Sequence, residues 1–147
     1  MASKYTARGT ITTVLSTELN SLASATACSA SSAQANEGSG ERDNLAQFEI
    51  YIAAQGTNRA AGASISLYII PEVDGTNYAN TTDECLNNYF AGSVSVDDGA
   101  TAARYLVMEA KLPPSDWKAI LHNGTGQAFA SSGNTVKYRT FGYEDVT

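Results

Sequence analysis

Few residues in this chain could do covalent or acid–base chemistry, and their spacing is the first test of whether they do. The sole histidine is His122. One imidazole cannot build a histidine-rich metal site, and its nearest hydroxyls in sequence, Ser115 and Thr125, stand outside any G-x-S-x-G nucleophile elbow. Asn123-Gly124 follows it, so His122 is read as a hydrogen-bonded residue flanking a turn. A thiol nucleophile would be Cys28 or Cys85, with a base such as His122 held against it. Cys28 lies in an Ala/Ser-rich stretch, and Cys85 follows Glu84, whose charge raises a thiol pKa. The two cysteines lack the C-x-x-C spacing of zinc or redox sites and are read as free thiols of a reducing compartment.

Carboxylates occur as adjacent pairs at Asp83-Glu84, Asp97-Asp98 and Glu144-Asp145. Neighbours on a strand point to opposite faces, so such pairs rarely share one reacting atom. Asp97-Asp98-Gly99 could offer oxygens to Ca²⁺, but it lacks the alternating spacing of a calcium loop and reads as a plain turn. No motif supports a glycosidase pair. The expectation is a protein that is not an enzyme, with no catalytic residues, no cofactor and no metal.

The elements that would position any site are strands. Thr10 to Leu15 is β-branched and favours strand. Leu15, Leu19 and Leu22 then fall on one face of a short helix near residues 16–23, with Ser16 or Thr17 as its cap. Residues 23–44 hold Ser, Ala, Gly and charge but almost nothing large and apolar. They read as a long surface loop, or as chain that wraps the body and is pinned by backbone contacts. Strand candidates follow at 45–54, 64–70, 88–96, 101–112, 117–121 and 135–143, most of them with period-two apolar residues such as Phe48, Ile50 and Ile52. Pro71, Asp74-Gly75 and Asp97-Asp98-Gly99 separate them. Trp117, just after Pro113-Pro114, reads as a core plug at a strand start. No helical period of useful length intervenes, which excludes a parallel βαβ sheet. The fold class is therefore all-β: a single antiparallel β-sandwich over 1–147, of jelly-roll type, with an extended N-terminal arm at 1–10.

Length and charge narrow the partners. A chain of 147 residues buries enough surface for a core without metal or disulfide staples. Its net charge is −6, and the nine basic residues are scattered along the sequence without forming a patch, which argues against nucleic acid. Uninterrupted apolar runs such as Leu67 to Ile70 are far short of the ~20 residues of a membrane span. Met1 to Tyr5 has no apolar run of a secretory signal, so the protein is expected to be made in a cytoplasm. The N-x-S/T triplets at Asn80 and Asn123 carry little meaning in that setting. Eight tyrosines, six of them on strand candidates, suit half-buried sheet packing, a subunit interface or a glycan platform.

The order of motifs carries a resemblance. Glu18 to Ala23 leads into the Ser/Ala-rich stretch; Leu67-Tyr68-Ile69-Ile70-Pro71 precedes Asp74-Gly75-Thr76-Asn77-Tyr78; then come Leu112-Pro113-Pro114, Leu121 to Ala128, Ala130 to Asn134 and Tyr138-Arg139-Thr140. From Thr17 to Tyr143 this layout resembles the jelly-roll head-decoration, or cement, proteins of tailed bacteriophages. The resemblance implies a structural virion protein, a homotrimer made in the host cytoplasm, that binds the outside of the capsid and stabilises contacts between major capsid subunits. The arm would supply the contacts, through Lys4, Tyr5, Arg8 and Ile11, by adding a strand to a partner's sheet edge. The alternative is a carbohydrate-binding β-sandwich used in host attachment, with exposed tyrosines as its platform.

Overall fold

The computed structural model describes residues 2–38 and 43–146. Met1 of the predicted arm, residues 39–42 of the long segment, and Thr147 lie outside them. The strands are β1 (Ala2–Tyr5), β2 (Thr12–Leu15), β3 (Thr26–Ala27), β4 (Leu45–Ile52), β5 (Ser64–Pro71), β6 (Phe90–Ser95), β7 (Arg104–Lys111), β8 (Trp117–Gly124), β9 (Thr135–Phe141) and β10 (Tyr143–Val146). One helical turn, α1 (Asp83–Leu86), precedes β6. Every strand pairing is antiparallel. Strands β2-β9-β4-β7 form a first sheet, β3-β8-β5-β6 a second, and β1-β10 a separate ribbon. The two sheets close as an antiparallel β-sandwich of jelly-roll type.

Alternation builds the core. Ala46, Phe48, Ile50 and Ile52 of β4 point inward and are fully buried. Ile65, Leu67 and Ile69 of β5 and Trp117, Ala119 and Leu121 of β8 meet them from the other sheet. Each large side chain so buried contributes about 1.5–3 kcal/mol. Trp117, the first residue of β8, stands edge-on to Phe48 and Tyr138, with ring centroids 6.0 and 5.0 Å apart. It plugs the core at a strand start, as its position after two prolines suggests.

Three local features differ in detail from the sequence reading. The predicted short helix is a single 3₁₀ turn, Thr17–Leu19, which Ser21 ends in the left-handed region at φ 54°. Ser16 takes the cap position, but its side chain makes no capping bond; its N–H donates to Glu18 Oε2 at 2.9 Å instead. The last predicted strand is split at Gly142 into β9 and β10. The turn expected at Asn123-Gly124 lies beyond β8, where Gly126 adopts φ +79° against Ala60.

The apolar-poor segment wraps the body as an irregular edge strand. The N–H groups of Ala25, Cys28, Ser31 and Gln34 donate in turn to the carbonyls of Asn123, Leu121, Ala119 and Trp117. Each step of three residues in the segment answers a step of two along β8. The small side chains permit that close approach, and the contacts cover the edge of β8, which would otherwise present unpaired backbone groups.

On the opposite side of the sandwich, the chain crosses from β6 to β7, that is, from the second sheet to the first. A buried arginine braces this crossing. Arg59 donates to the Asp97 carbonyl (2.8 Å), Asp97 Oδ1 (2.9 Å), Gln55 Oε1 (3.1 Å) and the Ala102 carbonyl (3.1 Å). Arg104 grips the same carboxylate from outside, through Nε at 2.9 Å and Nη2 at 2.6 Å. That grip holds the Asp97 carboxyl below its ordinary value of 3.8.

Candidate functional site

The groups that could react are placed where they do not converge. His122 lies within β8, between Ala27 of β3 and Ser66 of β5, rather than beside a turn. Its inward neighbours Leu121 and Asn123 are buried, so the imidazole points to the outer surface of the second sheet. Among the described residues it makes no hydrogen bond or ion pair. Cys28 and Cys85 are both free thiols. Burial pushes the Cys28 thiol up to about 11, and its Sγ accepts the Leu121 N–H at 3.2 Å, a structural use. Both carboxylate oxygens of Asp97 are taken by guanidinium groups, which removes them as cation ligands. Asn123 is fully buried and donates to the Leu22 and Gln127 carbonyls at 2.9 and 2.8 Å, so in the folded chain its side chain has no route to an outside partner.

The outer face of the first sheet is different. Register places its side chains in four rows across β9, β4 and β7: Phe141, Leu45 and Lys111; Arg139, Gln47 and Glu109; Lys137, Glu49 and Val107; Thr135, Tyr51 and Tyr105. Thr13 of β2 extends the third row. In the last row the Tyr51 and Tyr105 rings lie 4.5 Å apart at 37°, and Tyr105 is 76 % exposed. Val107, one row away, is 53 % exposed. A tilted aromatic pair at such exposure, with Val107 beside it, is an apolar foothold in a largely polar face.

At the other end of this face the arm lies over the sheet. The Thr6 N–H donates to the Gly142 carbonyl (2.9 Å), the Gly142 N–H to Thr6 Oγ1 (2.8 Å), and the Gly9 N–H to the Thr140 carbonyl (2.8 Å). A side chain at residue 9 would collide with Thr140 Oγ1, so glycine permits the approach. Between arm and sheet runs an open groove of about 450 Å³, lined by Tyr5, Thr6, Ala7, Arg8, Gln47, Glu109 and Phe141. Tyr5 stands edge-on to Phe141 at 5.6 Å and lies 4.9 Å from Tyr143. Arg8 Nη1 donates to Gln47 Oε1 at 2.7 Å. The hydrogen bond with Tyr5 holds the Tyr143 hydroxyl above its ordinary pKa.

Of the four residues singled out in the sequence, the structure brings two into this groove, Tyr5 and Arg8. Lys4 lies in β1 opposite Glu144 and pairs with it at 3.0 Å. Ile11 precedes β2 and is exposed, outside the groove. Sequence reasoning did not single out Gln47, Glu109 and Phe141, or the Tyr51–Tyr105 pair as a unit. A signal for the pair was present. Tyr51 sits out of phase with Phe48, Ile50 and Ile52, and Tyr105 out of phase with Leu106 and Met108, so both fall on the polar side of their strands.

No protein-family model matches the chain, and no curated protein matches it. Solved structures do. The C-terminal CBM6 of LamC, a marine laminarinase from Zobellia galactanivorans, is similar over 95 % of this chain and 99 % of that one, at a TM-score of 0.50 and 8 % identity. The CBM35 from Cellvibrio japonicus Abf62 covers 99 % of each chain at a TM-score of 0.43 and 13 % identity. A carbohydrate-binding module from Cellvibrio mixtus lichenase 5A, in complex with cellotriose, reaches 0.38 at 11 % identity. The first of these likenesses concerns the fold, and nothing rests on the other two.

Proposed function

We propose that this protein is a non-catalytic binding module for carbohydrate and that the outer face of the first sheet is its recognition surface. One observation carries the reading. Two aromatic footholds, the Tyr51–Tyr105 pair and Tyr5 backed by the buried Phe141, stand at opposite ends of a face whose middle rows are polar apart from Val107. From Leu45, in the Phe141 row, to Tyr51 the strand advances about 20 Å, so the two footholds suit an extended chain of sugar rings rather than one ring. Sugars offer apolar C–H faces to aromatic rings and hydroxyls to amide, carboxylate and guanidinium groups, and this face supplies each. The sandwich also has the fold of a module named for carbohydrate binding. A glycan array with neutral and acidic oligosaccharides tests the reading. Expected is a hit that Tyr105→Ala weakens ten-fold or more, about 1.4 kcal/mol. An array without a hit rejects it.

A separate observation favours a second reading. All residues of the β1-β10 ribbon are exposed, including Tyr5, Tyr143 and Val146. A lone two-stranded ribbon is marginal in water, and its free edges and aromatic rings suit docking on another protein. This supports the capsid-decoration role that the sequence resemblance implies, with a homotrimer holding major capsid subunits on the virion surface. The ribbon carries Lys4 and Tyr5, and Arg8 and Ile11 follow it. Deleting residues 1–10 removes these contacts and leaves β10 without its partner. If the shortened protein co-sediments with capsids as well as the full chain, or if the full chain does not co-sediment, this reading fails.

A further inference from the structure

The charge on the proposed recognition face does not match the charge of the chain. The chain has fifteen acidic and nine basic residues. Yet the four rows and the arm above them hold Arg8, Lys111, Lys137 and Arg139 against two carboxylates, Glu49 and Glu109. In sequence Arg8, Lys111 and the Lys137–Arg139 pair of β9 are far apart; strand order and register gather them. Glu49 stands directly opposite Lys137 and offsets it. Arg8 and Arg139 both flank Gln47, one from the arm and one from β9, with Glu109 on the far side of Gln47. Arg8 spends one N–H on Gln47. Arg139 makes no hydrogen bond or ion pair among the described residues. Two guanidinium groups with free N–H donors, beside a polar amide and between aromatic footholds, form a receptor for a carboxylate or sulfate carried on a ring.

We infer that this face takes an anionic polysaccharide, a uronate or sulfated chain, with Arg8 and Arg139 on its acidic groups and Tyr5 and the Tyr51–Tyr105 pair on its rings. The inference rests on the carbohydrate reading and narrows it to one chemical class. A neutral ligand would leave both guanidinium groups without a counter-charge, while a bare polyanion would make no use of the rings.

The test titrates the full chain with polygalacturonate, alginate and chondroitin sulfate, each beside its neutral form (methyl-esterified and, for chondroitin sulfate, also desulfated), with single-stranded DNA as a non-carbohydrate polyanion. Expected is binding to at least one acidic chain that weakens at least ten-fold in its neutral form and weakens steadily with added salt. Arg8→Ala and Arg139→Ala should each lower affinity ten-fold or more. Glu109→Gln should raise it several-fold, because a like charge leaves the groove. Lys118→Ala, on the other sheet, should change nothing. Thermal melts of the same variants confirm that each is folded. Equal binding of acidic and neutral forms overturns the inference and leaves the carbohydrate reading standing. Equal binding of DNA overturns it as well. No binding to any polysaccharide, acidic or neutral, rejects both.

Discussion

The two outer faces of the sandwich are built by the same alternation and finished in opposite ways. On the second sheet, Ile70 and Ile120 fall on the outward phase of β5 and β8, yet both are buried. The segment 72–89 covers them: its Leu86 joins the core, Tyr78 and Tyr89 pack against it, and Lys118 lies 4.3 Å over the Tyr78 ring. On the first sheet the arm covers only the Phe141 end, and Tyr105 and Val107 remain exposed at the other, while the second sheet keeps Phe90 exposed on its edge strand, beside Tyr68. Exposed apolar side chains next to one another carry a cost in solubility, and Tyr105 and Val107 on an uncovered face support the proposal that this face is a recognition surface.

The comparison can be broken at three levels. Ile120→Asp puts a carboxylate beneath the 72–89 cover without a partner. It should destabilise the fold by more than about 4 kcal/mol in urea or thermal unfolding. A loss below about 1 kcal/mol would mean that the cover is loose and the two faces are alike.

The crossing between the sheets should be sensitive to acid. Arg104, aided by Arg59, holds the Asp97 carboxyl below its ordinary value, so the stabilisation is fully present above pH 3.8. It is lost as pH falls through the lowered folded value. Asp97→Asn should lower the melting temperature at pH 7 and flatten its fall below pH 4. An unchanged acid profile would place the brace outside the stability of the crossing.

The smallest effect is expected on the bare face. Val107→Ser should shift stability by no more than about 0.5 kcal/mol, because its side chain leaves little water on folding. A loss of several kcal/mol would show that this face is covered in solution, by a second copy or by another protein.

Much of the fold was legible because its period is local. Phe48, Ile50 and Ile52 announce β4, and Ile65, Leu67 and Ile69 announce β5, since a half-buried strand repeats its environment every two residues. That residues 23–38 wrap the body on backbone contacts was legible only as one of two readings, and which edge they follow was not legible. Their contacts run from backbone to the edge of β8 and leave no apolar period. The β1-β10 ribbon was equally hidden, as it joins the two ends of the chain through residues that stay exposed.

What the sequence by itself determined is the body of the sandwich: the long strands from β4 to β9, most of the side chains that line the interior, and that the reactive residues fall in no catalytic pattern. Those properties follow from neighbours one to four residues apart. Only the tertiary structure decided the site. Arg8, Gln47, Glu109 and Arg139 come from the arm and three different strands and share one surface because of strand order and register. Which outer face would be covered and which left open was decided in the same way, since no local pattern records which segment folds back over which sheet.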